Sequence, residues 1–180
     1  MRIQKEDTIA VIIDVQQRLY PFIFEYEKLT DKLVRLVKGL KVLDIGIIVT
    51  EQYSKGLGHT IPEVQEALGE YNHLEKMSFS CCGLNDFNTV LKNTGKKNVI
   101  IAGIESHVCV LQTVLDLSEQ KYQPVLIEDC VSSRNLNDKK IAVERMGKEG
   151  AIISTCESIL FELLEFSGSE EFKAISKIVK

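Results

Sequence analysis

The chain has 180 residues, 44% hydrophobic and 27% charged, with a net charge of −4. That is the profile of one globular domain, long enough to bury a core without disulfides or a structural metal. The acidic balance argues against nucleic acid or an anionic membrane as the main partner, because both need a basic face, and no apolar run is long enough to span a bilayer.

Residues 1–7 hold no apolar stretch of signal-peptide type, so a cytoplasmic location is expected. The five cysteines, at 81, 82, 109, 130 and 156, are odd in number and form no C-x-x-C pair. Reduced thiols fit that count better than a disulfide framework.

In chain order, residues 8–13 (TIAVII) form a β-branched run expected for a strand buried on both faces. Asp14 follows, then a loop around Tyr20 and Pro21. Leu29, Leu33, Leu36, Val37 and Leu40 recur at helical spacing within 27–43. Gly46 opens a second strand, 47–50, and a long loop is expected over 51–60. Pro62 suits the start of a short helix. Residues 73–77 read as a short strand and 86–92 as a helix. The run 98–103 is the clearest strand after the first, and 107–120 reads as a helix. A strand at 123–129, a helix at 138–148, a strand at 151–154 and a helix at 156–164 complete the pattern, with one or two more turns after Ser169. Strands alternating with helices predict right-handed βαβ units. The expected fold is α/β: one three-layer, doubly wound, Rossmann-like domain over 1–180, with a mostly parallel sheet of about six strands.

In such folds the ligand crevice lies beyond the C-terminal ends of the strands. Asp14, Thr50 to Tyr53, Lys76, Gly103 and Asp129 fall there, and Cys109 lies six residues past Gly103, in the first turn of a helix. A carboxylate, an ammonium and a thiol are the components of nucleophilic cysteine chemistry. The thiolate attacks, a cation or helix N-terminus stabilises it, and a carboxylate moves the proton. Each residue also has a plain reading: Asp14 as a loop anchor, Lys76 as a surface lysine, Cys109 as a core thiol. Composition and spacing leave both readings open. A dinucleotide-binding reading is excluded, because residues 14–19 (DVQQRL) contain no glycine.

Five segments carry a resemblance: 13–16 (IDVQ), 75–80 (EKMSFS), 102–110 (AGIESHVCV), 128–134 (EDCVSSR) and 157–163 (ESILFEL). In this order the chain, from about Thr8 to Leu164, resembles the isochorismatase-like cysteine hydrolases, a superfamily that includes nicotinamidases, N-carbamoylsarcosine amidohydrolase and ureidoacrylate amidohydrolase. The resemblance implies a catalytic triad of Asp14, Lys76 and Cys109. It also implies a cis peptide at Ile104-Glu105, an oxyanion hole made by the backbone N–H groups of Glu105 and Cys109, and assembly into dimers or tetramers. Cys109 would form a thioester with a small amide or carbamoyl substrate, Asp14 would move the protons, and Lys76 would lower the thiol pKa. Ser106 makes sense as a helix N-cap.

The metal-binding nicotinamidases carry Asp-x-His after the second strand. Here that place reads Thr50-Glu51-Gln52-Tyr53, and His59 stands alone nearby, so no metal and no cofactor are expected. The local pattern resembles the isochorismatase-domain-containing subgroup. Gln16, Tyr53 and Phe79 flank the triad in sequence and are candidate substrate contacts. His107 points away from Cys109 at its spacing, and Arg134 is expected to pair with an acid. The competing functional reading is a hydrolase-fold protein of little or no activity that acts mainly by binding another protein.

Overall fold

A computed structural model describes residues 2–180. Six strands form one all-parallel sheet in the order β3-β2-β1-β4-β5-β6. They are β1 (Thr8–Ile13), β2 (Ile47–Gln52), β3 (His73–Lys76), β4 (Asn98–Ile104), β5 (Gln123–Ser132) and β6 (Ile152–Ser154). The helices are α1 (Tyr26–Val42), α2 (Ser54–Leu57), α3 (Pro62–Leu68), α4 (Asn85–Thr94), α5 (Leu111–Glu119), α6 (Leu136–Lys148), α7 (Cys156–Leu164) and α8 (Glu170–Ile178).

Every residue of β1 and β4 is buried. These are the two central strands, and their sequences are nearly continuous apolar runs because helices cover both faces. One face packs Ala10, Ile12, Val49, Ile100 and Ala102 against Leu33, Leu36 and Leu40 of α1 and Ile159 and Leu160 of α7. The other packs Val11, Ile13, Ile48, Val99 and Ile101 against Phe87 and Leu91 of α4 and Val114 and Leu117 of α5. Each fully buried Leu, Ile or Phe contributes about 1.5–3 kcal/mol of transfer free energy.

The chain runs β1-β2-β3 toward one edge, then returns through β4 to the other side of β1. The direction reverses between β1 and β4, which opens a crevice at their C-terminal ends. Gly103 sets the approach there. Its φ is +135°, and a Cβ at this position would lie 2.1 Å from the Ile13 carbonyl oxygen. Only glycine lets the two strand ends come this close.

Two expected boundaries shift. The 51–60 loop is shorter, since β2 runs on to Gln52 and α2 occupies Ser54–Leu57. β5 does not end at Asp129. Between the pairs Ile101↔Leu126 and Gly103↔Val131, β4 advances two residues and β5 five. Asp129 lies in that irregularity, where it accepts from the Cys156 N–H at 2.7 Å and pairs with Lys32 at 3.2 Å. It anchors the start of α7 and takes no part in the crevice, because the irregularity carries the strand past it; local composition gives no sign of those extra residues.

Candidate active site

Asp14 leaves β1 with φ 53°, a left-handed conformation that aspartate tolerates better than most residues. The turn aims its buried carboxylate across the sheet. Thr50 Oγ1 donates to Oδ1 at 2.8 Å, and Lys76 Nζ donates to Oδ2 at 2.6 Å. Lys76 is the last residue of β3, and its side chain is fully enclosed. Its other hydrogen bonds go to the carbonyls of Ser78 at 3.1 Å and Phe79 at 2.9 Å. All three ammonium hydrogens are therefore used, as a buried cation requires.

Cys109 reaches the same place from β4. The peptide bond between Ile104 and Glu105 is cis. A π turn over Ser106–Val110 follows, wound on the Glu105 carbonyl, which accepts from the Val108 N–H at 3.1 Å and the Val110 N–H at 3.2 Å. Ser106 thus lies inside the turn and is not its N-cap; that position falls to Glu105, and the buried Ser106 Oγ has no hydrogen-bond partner. The Glu105 carboxylate is tied by the Arg134 side chain and the Arg134 N–H, and His107 Nδ1 lies 3.4 Å away. Arg134 pairs with an acid, as expected, and His107 bonds Ser133 Oγ at 2.9 Å.

The Cys109 residue is only 6% exposed. Its thiol donates to Gln52 Oε1 at 3.2 Å. Burial pushes the thiol pKa up, the facing Asp14 carboxylate raises it further, and Lys76 opposes both without cancelling them. Lys76 lowers the thiol pKa, as expected, but by less than burial and Asp14 raise it. Lys76 is committed to Asp14, and burial and Asp14 together favour the protonated thiol of Cys109. A second thiol, Cys81, lies close by. It is fully buried, 3.8 Å from Thr50 Oγ1, and burial pushes its pKa up to about 11.

Of the expected substrate contacts, Gln16 has another role. It is fully buried. Its Nε2 donates to the carbonyls of Gln52 at 3.0 Å and Gly58 at 2.7 Å, and its Oε1 accepts from the Gln52 N–H at 2.7 Å. The amide is occupied in holding Gln52 in place, which leaves little for a ligand. Tyr53 and Phe79 stand about half exposed, with Met77 more so, past the ends of β2 and β3. Gln52 itself was not among the candidates. It meets Cys109 across 57 residues of chain, a contact that no local pattern reports.

His59 does not stand alone either. It and His73 both approach Glu51 Oε2, at 2.9 and 3.4 Å. Sequence spacing hides this, because His73 comes from the next strand.

A family model, the Isochorismatase domain, matches residues 8–158. The chain is 39% identical over 184 residues to Isochorismatase family protein 1B of Dictyostelium discoideum, covering 99% of this chain and 89% of that one. Among solved structures it is similar to the MAR1 ribonuclease of Caenorhabditis elegans, with a TM-score of 0.93 and 36% identity over 99% of this chain and 92% of that one. It shares its fold with YcaC of Escherichia coli, an octameric hydrolase of unknown specificity, at a TM-score of 0.92 and 23% identity over 99% of this chain and 90% of that one. With the six-stranded parallel sheet and the family match over most of its length, the chain belongs to the isochorismatase family and carries its hydrolase fold.

Proposed function

We propose that this protein is a cysteine hydrolase that cleaves a C–N bond, amide or carbamoyl, in a small molecule. The observation that carries the reading is the meeting of an enclosed Lys76–Asp14 pair with the Cys109 thiol at the switch point of the sheet. A buried ion pair adds little stability over an apolar replacement, so its position against a thiol is best explained by chemistry.

The steps are those that the family resemblance implies for these residues. The thiol passes its proton to Asp14 as sulfur attacks the substrate carbonyl. The negative charge that develops on the carbonyl oxygen is taken by the backbone N–H groups of Glu105 and Cys109. Asp14 returns the proton to the leaving nitrogen, the C–N bond breaks, and a thioester remains on Cys109. Water attacks the thioester, Asp14 takes a proton from it, and the freed thiol recovers that proton as the acid departs. Lys76 holds Asp14 in position and balances its charge throughout. Because Cys109 is nearly enclosed, the substrate group that reaches it must be small.

A reducing, cytoplasmic setting and assembly into a homo-oligomer belong to the same reading. Ribonuclease activity does not. The chain is acidic, and Lys76 is enclosed and paired, so it offers no free charge to a phosphate.

The test is a library of small amides and carbamoyl compounds, scored by ammonia or amine release, with Cys109→Ala as the blank. Intact-mass detection of an acyl adduct on the wild-type protein would identify the intermediate. Equal release from both proteins across the library would reject the hydrolase reading and favour a protein that acts by binding a partner.

A further inference from the structure

Gln52 is the last residue of β2 and stands in register with Lys76 on β3, so both side chains leave the same face of the sheet. Thr50, two residues earlier, shares that face and bonds Asp14. Gln52 is partly exposed, and its amide is used at both ends. Nε2 donates to the Met77 carbonyl at 3.5 Å, and Oε1 accepts from the Cys109 thiol at 3.2 Å. The Asp14 carboxylate faces the same sulfur. A thiol has one proton, and here that proton has two acceptors, an amide oxygen and a carboxylate.

We propose that Gln52 is a specificity-determining residue, selecting substrates whose leaving group is an N–H nitrogen over the corresponding esters; this rests on the hydrolase reading above. In the structure the thiol proton is directed at Gln52. Attack requires that it pass to Asp14 instead, which leaves the Gln52 oxygen facing an electron-rich sulfur with no donor between them. The leaving nitrogen is the substrate atom that collects the proton from Asp14. It therefore comes to lie between Asp14 and Gln52, the two groups that face the sulfur. An amide nitrogen there donates an N–H to Gln52 Oε1 and turns its lone pair toward the protonated Asp14. An ester oxygen has no proton to give and sets a further acceptor against Oε1. No bond to Gln52 forms or breaks, and the proton moves as before, from sulfur to Asp14 to the leaving group.

The surroundings support the assignment. Among the described residues the thiol is the only donor to Gln52 Oε1, so that oxygen is free for a substrate once the proton has left. The Gln52 backbone is held on both sides by the buried Gln16 amide, through its N–H at 2.7 Å and its carbonyl at 3.0 Å. Such support keeps a recognition group in a fixed direction before the ligand arrives. A site built to bond an N–H rejects the analogue that lacks one, because its own polar group is then left unpaired.

The experiment compares the wild type with Gln52→Met, which keeps the length and drops the acceptor, and Gln52→Glu, which keeps an acceptor oxygen. Thermal unfolding verifies the fold of each. kcat/KM is measured on acetamide and methyl acetate or, where the library yields a faster amide, on that amide and its methyl ester. Cys109 is also labelled at pH 7 with methyl methanethiosulfonate, a small reagent without an N–H. Gln52→Met should lose at least ~10-fold more activity toward the amide than toward the ester. It should also label faster, because an acceptor that favours the protonated thiol is gone. Gln52→Glu should hold the amide-to-ester ratio closer to that of the wild type and label more slowly, since its charge disfavours the thiolate. An equal fall on both probes in Gln52→Met, labelling no faster than the wild type, or a ratio in Gln52→Glu as low as in Gln52→Met would overturn the role of Gln52 and leave the hydrolase reading standing. Amide release no greater than that of Cys109→Ala across the whole library would overturn the hydrolase reading, and the selection by Gln52 with it.

Discussion

Lys76 Nζ lies 2.6 Å from Asp14 Oδ2, and the two residues are 62 positions apart in the chain. Both side chains are enclosed, so each is the other's main compensation for leaving water. Removing one partner of a buried pair costs about 3–5 kcal/mol, because a charge is stranded, while removing both is far milder. Lys76→Met should therefore destabilise the protein by about that amount, and Asp14→Asn/Lys76→Met should recover much of the loss. Urea unfolding of the three proteins measures it. A double variant as unstable as the sum of the singles would show that the pair is not coupled.

Cys109 is held as a thiol by burial and by Asp14. Iodoacetamide should accordingly modify wild-type Cys109 more slowly at pH 7 than it modifies a free thiol. Asp14→Asn removes a group that raises the thiol pKa, so labelling near neutral pH should become faster while amide turnover falls. Rates from peptide mass mapping across pH give the answer. Slower labelling in Asp14→Asn would mean that Asp14 does not face the thiol.

Gly103→Ala should abolish soluble expression or fold. The added Cβ meets backbone, not a flexible side chain, at the Ile13 oxygen 2.1 Å away, and the φ of +135° is open to few residues but glycine. Circular dichroism and yield are sufficient readouts. A well-folded variant of wild-type stability would show that the β1 and β4 ends can separate.

Gln16→Leu keeps the volume but leaves the Gln52 N–H and the carbonyls of Gln52 and Gly58 without their partner. An unsatisfied buried group costs about 1–3 kcal/mol. The variant should lose stability in that range, and turnover should fall through the displaced Gln52, with the Cys109 labelling rate altered in parallel. Unchanged labelling would disconnect Gln16 from Cys109.

Much of this architecture was legible beforehand, for a physical reason. The runs at 8–13 and 98–103 are buried on both faces, so hydrophobicity alone marks them, and α1 shows its packed face as Leu29, Leu33, Leu36 and Leu40. Asp14, Lys76 and Cys109 were singled out because strand ends in this topology point to one crevice, and the resemblance narrowed the choice among them. The parts that were not legible depend on pairings across the chain. Gln52 meets Cys109 only after β2 and β4 are placed on either side of β1, and His73 joins His59 only once β3 lies beside β2. The extra residues in β5 that carry the strand beyond Asp129 leave no mark in hydrophobic periodicity. That burial and Asp14 outweigh the lowering by Lys76 at Cys109 was not legible, because sequence reports the types of neighbouring charges and not their burial or which of them already has a partner.

Alkaline pH should destabilise this protein well before the lysines titrate. The thiols of Cys81, Cys109 and Cys130 are buried, and burial raises the pKa of all three, that of Cys81 to about 11. In the unfolded chain they ionise near the usual thiol value of about 8.5. Between these limits the unfolded state binds fewer protons than the folded one, so stability falls as pH rises. The contribution is fully present below the unfolded pKa and is lost progressively above it, by up to roughly 1.4 kcal/mol per pH unit for each thiol. Urea midpoints should stay level from pH 7 to about 8 and then decline steeply toward pH 10. Cys130→Ala should flatten part of that slope, even though it lowers stability at pH 7 through the small cavity it leaves. A midpoint that is constant up to pH 10 would mean that the thiols ionise as readily in the folded protein as in the unfolded chain, which their burial forbids.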